Sequence, residues 1–328
     1  MPVIHPRDAL FDSDAPAASR LPVCDHYAGI EARMHKSLQL QAELGPAFDV
    51  TLDNEDGAPV GGEIEQAHLI AGMLGSPANL YGRVGVRLVH LDHPRFAEVA
   101  EVVLKSTKRP AYLMIPKSRG LADLQRAAQA LDALGAADIP LHALIETHGA
   151  LREVFAIAAH QRIESLSFGL MDFVSAHRGA IPANAMGGQG QFDHPLVVRA
   201  KLEIAAACHA AGKTPSHCVF TEFKDQQALQ AAAEMACNLL GYTRMWSIHP
   251  SQVRTIVEAF APTVAEVDEA IEIIQAAQAV DWAPIRRHDT LHDRASYRYY
   301  WQVIERAERT SFHGGLQLPG ELHAAWFN

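Results

Sequence analysis

The sequence predicts a parallel (β/α)8 barrel followed by a C-terminal helical extension. Three observations carry this. Short β-like runs alternate with longer helical patterns along most of the 328 residues. Strands that alternate with helices require a parallel sheet with right-handed crossovers. Eight such units over about 240 residues favour a closed barrel over an open doubly wound sheet.

In chain order, residues 1–19 are rich in Pro, Asp and Ala and predict a loose N-terminal arm. The barrel is expected over 20–262, with strands near 20–24, 48–53, 84–89, 111–115, 141–145, 164–168, 215–220 and 244–248. Helical patterns fill 29–44, 61–74, 94–106, 120–134, 148–159, 195–211 and 224–240. Gly187-Gly188-Gln189-Gly190 lies between units six and seven and reads as a flexible loop over the barrel mouth. The pattern changes near 262, so residues 263–328 form the extension, a lid or subunit contact. Thr263 with Glu266 three positions on is a capping box for a helix over 264–279, and a polar, aromatic helix is expected over 289–309. Tyr297, Tyr299, Tyr300 and Trp301 on that helix need a surface to cover them, the barrel's own mouth or a neighbouring subunit, with a helix folded back on its own barrel as the plainer alternative.

The net charge of −10 argues against non-specific nucleic-acid binding. No run of about 18 apolar residues suggests a membrane span, and the N-terminal stretch has no basic region followed by an apolar run. Cys24, Cys208, Cys218 and Cys237 form no CxxC pair and read as reduced thiols of a cytoplasmic protein. Neither GxGxxG nor GxxxxGK[ST] nor GxSxG occurs, so neither a nucleotide loop nor a serine nucleophile elbow is supported.

Two apolar runs end on carboxylates, Leu144-Ile145-Glu146 and Phe168-Gly169-Leu170-Met171-Asp172. Glu146 and Asp172 are 26 positions apart, about one strand–helix–strand unit, which puts both at the carboxyl ends of neighbouring strands. Two hard oxygen ligands there make a candidate Mg²⁺ site, completed by water and substrate. Asp53-Asn54-Glu55-Asp56 falls on the same face, to orient water, metal or basic groups, or to favour a helix N-terminus. Arg87 lies in an apolar strand and must find an anion, either a substrate carboxylate gripped bidentately or the 53–56 cluster; the two readings coexist. Lys117 follows the fourth strand and suits an electrostatic role, with a surface Lys or a Schiff base as the other readings. His249 before Pro250 reads as structural. His288 and His292, four apart, have no evident third ligand and read as a solvated helix start.

With those residues in place, the chain resembles the citrate lyase β-subunit/malyl-CoA lyase group of the wider 2-keto-3-deoxy acid aldolase superfamily. The carrying motifs are Asp49–Ala58, Val86–Pro94, Ile115-Pro116-Lys117, Ile145-Glu146-Thr147, Phe168–Asp172, Ile248–Gln252, Phe260-Ala261-Pro262 and Glu266–Ala270. The resemblance implies that Glu146 and Asp172 hold Mg²⁺ and that Arg87 contacts substrate, with Lys117 beside it and Glu55 and Asp56 supporting the chemistry. It implies a carbon–carbon lyase acting on a small hydroxy acid or its CoA thioester, assembled as a homotrimer or hexamer. Several positions depart from the family pattern. Val89 stands for an Asn, Arg244-Met245 for a Gly-Lys pair and His217 for an Asp, and Ser19–Val23 only loosely echoes the CoA-binding N-terminus. The family's C-terminal lid motif is replaced by His288–Trp301. A CoA-independent 2-keto acid aldolase and a non-catalytic subunit of the same fold are the rival expectations.

Overall fold

The computed structural model describes residues 4–11, 21–287, 289–312, 318 and 320–327. They form two compact units, one of residues 21–260 and one of 4–11 with 261–327.

The first unit is the expected barrel. Its strands are β1 (Cys24–Ala28), β2 (Phe48–Asp53), β3 (Val84–Arg87), β4 (Leu113–Ile115), β5 (Leu141–Ile145), β6 (Ile163–Phe168), β7 (Thr214–His217) and β8 (Arg244–Ser247). They pair in sequence order, all parallel, and β8 closes on β1 through Cys24↔Met245 and His26↔Ser247. The first strand sits later than the expected 20–24. Pro22 has no N–H to give a ladder, and its carbonyl accepts from Arg244 at 2.9 Å instead. The seventh ends earlier than expected, because the chain turns away after His217 and Phe220 gives its carbonyl to Gln252 Nε2 at 2.8 Å. The helical pattern over 148–159 breaks into His148–Arg152 and Val154–Ala158. The Gly187–Gly190 stretch is a turn that runs into a helix at Gly190. It lies between a 3₁₀ turn, Ala183–Met186, and a short helix, Gly190–Asp193, and the Gly188 N–H donates to Glu222 Oε1 at 3.0 Å.

The barrel floor is ionic. Arg244 is fully buried, 2.6 Å from Asp49 and 3.2 Å from Asp25, and Asp25 also accepts from Thr51, Tyr112 and Trp246. This accounts for the Arg in the 244 position: it neutralises two buried carboxylates from neighbouring strands. The Tyr112 ring crosses the barrel at β3, where a Cβ on Gly85 would come 2.1 Å from it, so only glycine fits. Above this layer Met114, Leu144 and Trp246 form an apolar plug that separates floor from mouth.

In the second unit the capping box at Thr263 forms as expected and starts the helix Val264–Ala279. The aromatic helix begins at Arg294 rather than 289. Asp293 caps it by accepting from Ala295 N and Ser296 N, while Thr290–His292 pairs antiparallel with Ile285–Arg287. Tyr297 and Trp301 are buried in this unit's own core with Trp282 and Trp326, whereas Tyr299 is 56% exposed. The N-terminal arm is not wholly loose: Pro6–Leu10 is helical, Leu10 belongs to the same core, and Arg7 Nε donates to Glu305 at 2.7 Å. The rest of the expected arm, with Ser19, Arg20 and also His288, lies outside the described residues. No helix among the described residues is long and apolar enough to cross a membrane.

Candidate active site

The carboxyl ends of β1 to β6 bring the sequence-predicted residues to one mouth. Asp53 ends β2 and Arg87 ends β3, paired in register. Arg87 Nε donates to Asp53 Oδ1 at 2.5 Å. Its Nη1 is 3.0 Å from Glu55 Oε2, and its Nη2 donates to Asp56 Oδ2 at 3.2 Å and to the Tyr27 hydroxyl at 3.1 Å. The Tyr27 ring lies 5.0 Å from the guanidinium carbon. The ion pair of Arg87 with the 53–56 cluster is present, and the fork sits at the mouth.

Asp53 is the anchor of this cluster. It is fully buried and accepts from Tyr27 Oη at 2.5 Å, from Glu55 N at 3.1 Å and from the Gly57 N–H. Asp56, by contrast, has a side chain 59% exposed. Lys117 reaches the same carboxylates, pairing with Glu55 and lying 3.7 Å from Asp56. Burial pushes the Glu55 carboxyl up, against the pull of Arg87 and Lys117.

Lys117 has φ 52°, a left-handed conformation unfavourable for a side chain of its size. The strain has a local consequence: the Lys117 N–H donates to Glu146 Oε1 at 2.6 Å. Glu146, directly after β5, is 3% exposed. Burial, with the Asp172 charge acting in the same direction, raises its carboxyl to about 7 despite that hydrogen bond. Asp172 lies in the short helix Leu170–Ser175 after β6 and is half-buried. At Gly169 a Cβ would come 2.3 Å from Glu146 Oε2, so the glycine of the FGLMD run makes room for the glutamate.

These donors suit a small hard cation. Glu146 and Asp172 are close enough for the Asp172 charge to push the Glu146 carboxyl up, as two neighbouring carboxylates do. Among the described residues no group of three His, Cys, Asp or Glu is arranged to hold a metal. Mg²⁺ keeps several waters and takes one or two protein carboxylates, the number that Glu146 and Asp172 can offer.

His249 makes local contacts at the start of the helix Pro250–Phe260. Its Nδ1 is 2.8 Å from Ser251 Oγ, its ring stacks on Phe223, and Gln252 Oε1 accepts from the N–H groups of Ile248 and His249. His292 is buried in the hairpin of the second unit. Sequence reasoning missed Tyr27, because the first strand was set too early. It left Asp53 without a role of its own, although an Asp closing an apolar strand beside an in-register Arg was the available signal.

A closed parallel barrel with carboxylates, an arginine and a lysine on its carboxyl-end loops belongs to the class of barrel enzymes that act on small anionic substrates. The chain is a member of the HpcH/HpaI aldolase/citrate lyase family, which it matches over residues 49–250. It is 28% identical to the L-malyl-CoA/beta-methylmalyl-CoA lyase of Rhodobacter capsulatus, an alignment covering 91% of this chain and 98% of the relative. A solved citrate lyase from Burkholderia xenovorans LB400 is 52% identical, with a TM-score of 0.84, covering 99% of this chain and 100% of that one. The CitE protein of Mycobacterium tuberculosis, solved with magnesium, acetoacetate and coenzyme A, shares the fold at 19% identity and a TM-score of 0.68 over 88% of this chain and 98% of that one.

Proposed function

We propose that this chain is a Mg²⁺-dependent carbon–carbon lyase that cleaves a small hydroxy acid presented as its CoA thioester. The observation that carries the reading is a guanidinium fork on Arg87 at the same barrel mouth as the carboxylates Glu146 and Asp172, close enough for their charges to act on one another. Glu146 and Asp172 would hold the cation, which when bound polarises a carbonyl and offsets the negative charge of an enolate.

The chain's own groups do the rest. Arg87 has five N–H donors, and its exposed partner Asp56 is the one a substrate carboxylate can displace. Asp53 and Tyr27 keep the fork in plane while that exchange occurs. Lys117 holds Glu55 and adds positive charge for the anion. Cleavage must remove a hydroxyl proton and return one to carbon, and Glu55, raised by burial and set between two cations, is the group to move it.

The thioester is favoured because the malyl-CoA lyase relative aligns over nearly its whole length. The work belongs in the cytoplasm. Exposed Tyr299 suits a contact between copies in a homotrimer or hexamer.

The test is turnover with Mg²⁺ of malyl-CoA and citryl-CoA against pyruvate plus simple aldehydes. Thioester cleavage is expected. Activity on free keto acids alone would make the protein a CoA-independent aldolase. Mg²⁺ binding without turnover on either set would make it a non-catalytic member of the fold.

A further inference from the structure

A second cluster of reactive groups lies behind β7, apart from the mouth residues and independent of the reading above. Lys201, on the helix Pro195–Ala210, is fully buried. Its Nζ donates to Gln191 Oε1 at 2.8 Å and lies 4.0 Å from the centre of the Phe192 ring. The Cys218 thiol donates to the same oxygen at 3.1 Å, so amine and thiol share one acceptor. His217 closes the side: its Nδ1 is 3.9 Å from Cys218 Sγ and its ring stacks on Phe192.

Among the described residues no carboxylate pairs with this amine, so its charge is held at a cost that an aliphatic side chain would not incur. Burial lowers Lys201 to about 8, so near neutral pH a minor fraction of the amine is free, a base and nucleophile sharing an acceptor with a thiol. Burial pushes Cys218 up and His217 well down, so near neutral pH the imidazole is uncharged and the thiol keeps its proton unless the amine takes it.

We propose that Lys201 and Cys218 form a reversible cross-link, a sulfenamide S–N bond, when a peroxide reaches them. The amine takes the thiol proton, and the thiolate sulfur attacks one peroxide oxygen. The O–O bond breaks, water leaves with the transferred proton, and a sulfenic acid remains. The amine lone pair then attacks sulfur, the S–O bond breaks, and hydroxide leaves with an amine proton as a second water. In sum, one thiol, one amine and one hydrogen peroxide give the sulfenamide and two waters; sulfur loses two electrons and the peroxide gains them. Gln191 and Phe192, which cover the pair, sit on the four-residue helix Gly190–Asp193, and local opening of so short a segment admits the oxidant.

The full chain treated with hydrogen peroxide and read by intact and peptide mass spectrometry tests this. The expected product is lighter by two hydrogens, with the peptides of Lys201 and Cys218 joined, and dithiothreitol releases them. Cys24 and Cys208 are as buried as Cys218 and serve as internal standards; Cys218 should be consumed on the order of tenfold faster. Lys201→Met and Lys201→Arg should both abolish the joined peptide, the second keeping a cation in place. The proposal is overturned if Cys218 survives as long as Cys24 and Cys208. It is equally overturned if Cys218 goes on to sulfinic or sulfonic acid while the Lys201 peptide stays free, or if the cross-link persists without Lys201.

Discussion

Arg87→Met removes the cation from a buried cluster, and its cost can be worked from the contacts. The guanidinium is 7% exposed and contacts Asp53 at 2.5 Å, Glu55 at 3.0 Å and Asp56 at 3.2 Å. Breaking a buried ion pair from one side costs about 3–5 kcal/mol, because the partner is left charged and unpaired. Three facts place this case at the low end. Asp53 keeps donors from Tyr27, Glu55 N and Gly57 N, Glu55 keeps Lys117, and Asp56 is open to water. The expected loss is about 3 kcal/mol, read as a lower urea midpoint at unchanged slope for the barrel transition. Arg87→Lys restores a charge but not the planar fork, so it should recover roughly half of that stability while activity stays low. An Arg87→Met protein that unfolds at the wild-type midpoint would refute the reasoning, since Asp53 could then carry its charge unaided. An Arg87→Lys protein with near-native kinetics would limit Arg87 to a structural ion pair.

Three further outcomes follow from the same geometry. Glu146→Gln or Asp172→Asn should weaken Mg²⁺ binding, read by calorimetry, by at least about tenfold with the barrel still folded; unchanged affinity in both removes them as ligands. In chelator, the carboxyl of Glu146, raised to about 7 in the fold, should cost stability as pH rises from its solvated range toward 7. The folded state binds more protons in that window, so the wild type should lose roughly 2–4 kcal/mol across it relative to Glu146→Gln, and parallel stability curves for the two would sink the idea. Gly85→Ala puts a Cβ 2.1 Å from the Tyr112 ring and should cost about 3 kcal/mol or more in thermal or urea unfolding; a neutral effect would mean that Tyr112 moves aside freely.

What the sequence made legible follows from how directly each feature is encoded. The barrel could be read because strand–helix alternation is a local pattern repeated eight times. Glu146, Asp172 and Arg87 could be read because charge at the end of an apolar run is conspicuous. The left-handed turn at Lys117 could not, since nothing in Ile115-Pro116-Lys117 requires it; it arises where the chain must bring an N–H to Glu146. Tyr27 was hidden by a register error of a few residues in β1, enough to move its side chain from an unremarkable loop to the mouth. The aromatic helix looked like an interface because four rings clustered on it, but two of them fill the core beside Trp282 and Trp326, a partnership between segments that the sequence pattern alone does not reveal.

The two ends of the barrel use the same chemistry for different ends. At the floor, Arg244 is fully buried between Asp25 and Asp49, both fully buried too. At the mouth, Arg87 is nearly as buried and likewise bound to a buried aspartate, Asp53. The difference is the further partner. Pro22 O, the floor's third acceptor, is a main-chain carbonyl fixed in the chain, whereas Asp56 is mostly in water and holds Arg87 by one 3.2 Å contact. A guanidinium whose every acceptor is fixed can only stabilise. One with a single exchangeable acceptor can also bind, because an incoming carboxylate replaces a solvated ligand rather than a buried one, and pays little desolvation for doing so. Met114, Leu144 and Trp246 lie between the two networks, and Trp246 gives its indole N–H to Asp25 of the floor while its ring lies beside Tyr27 of the mouth.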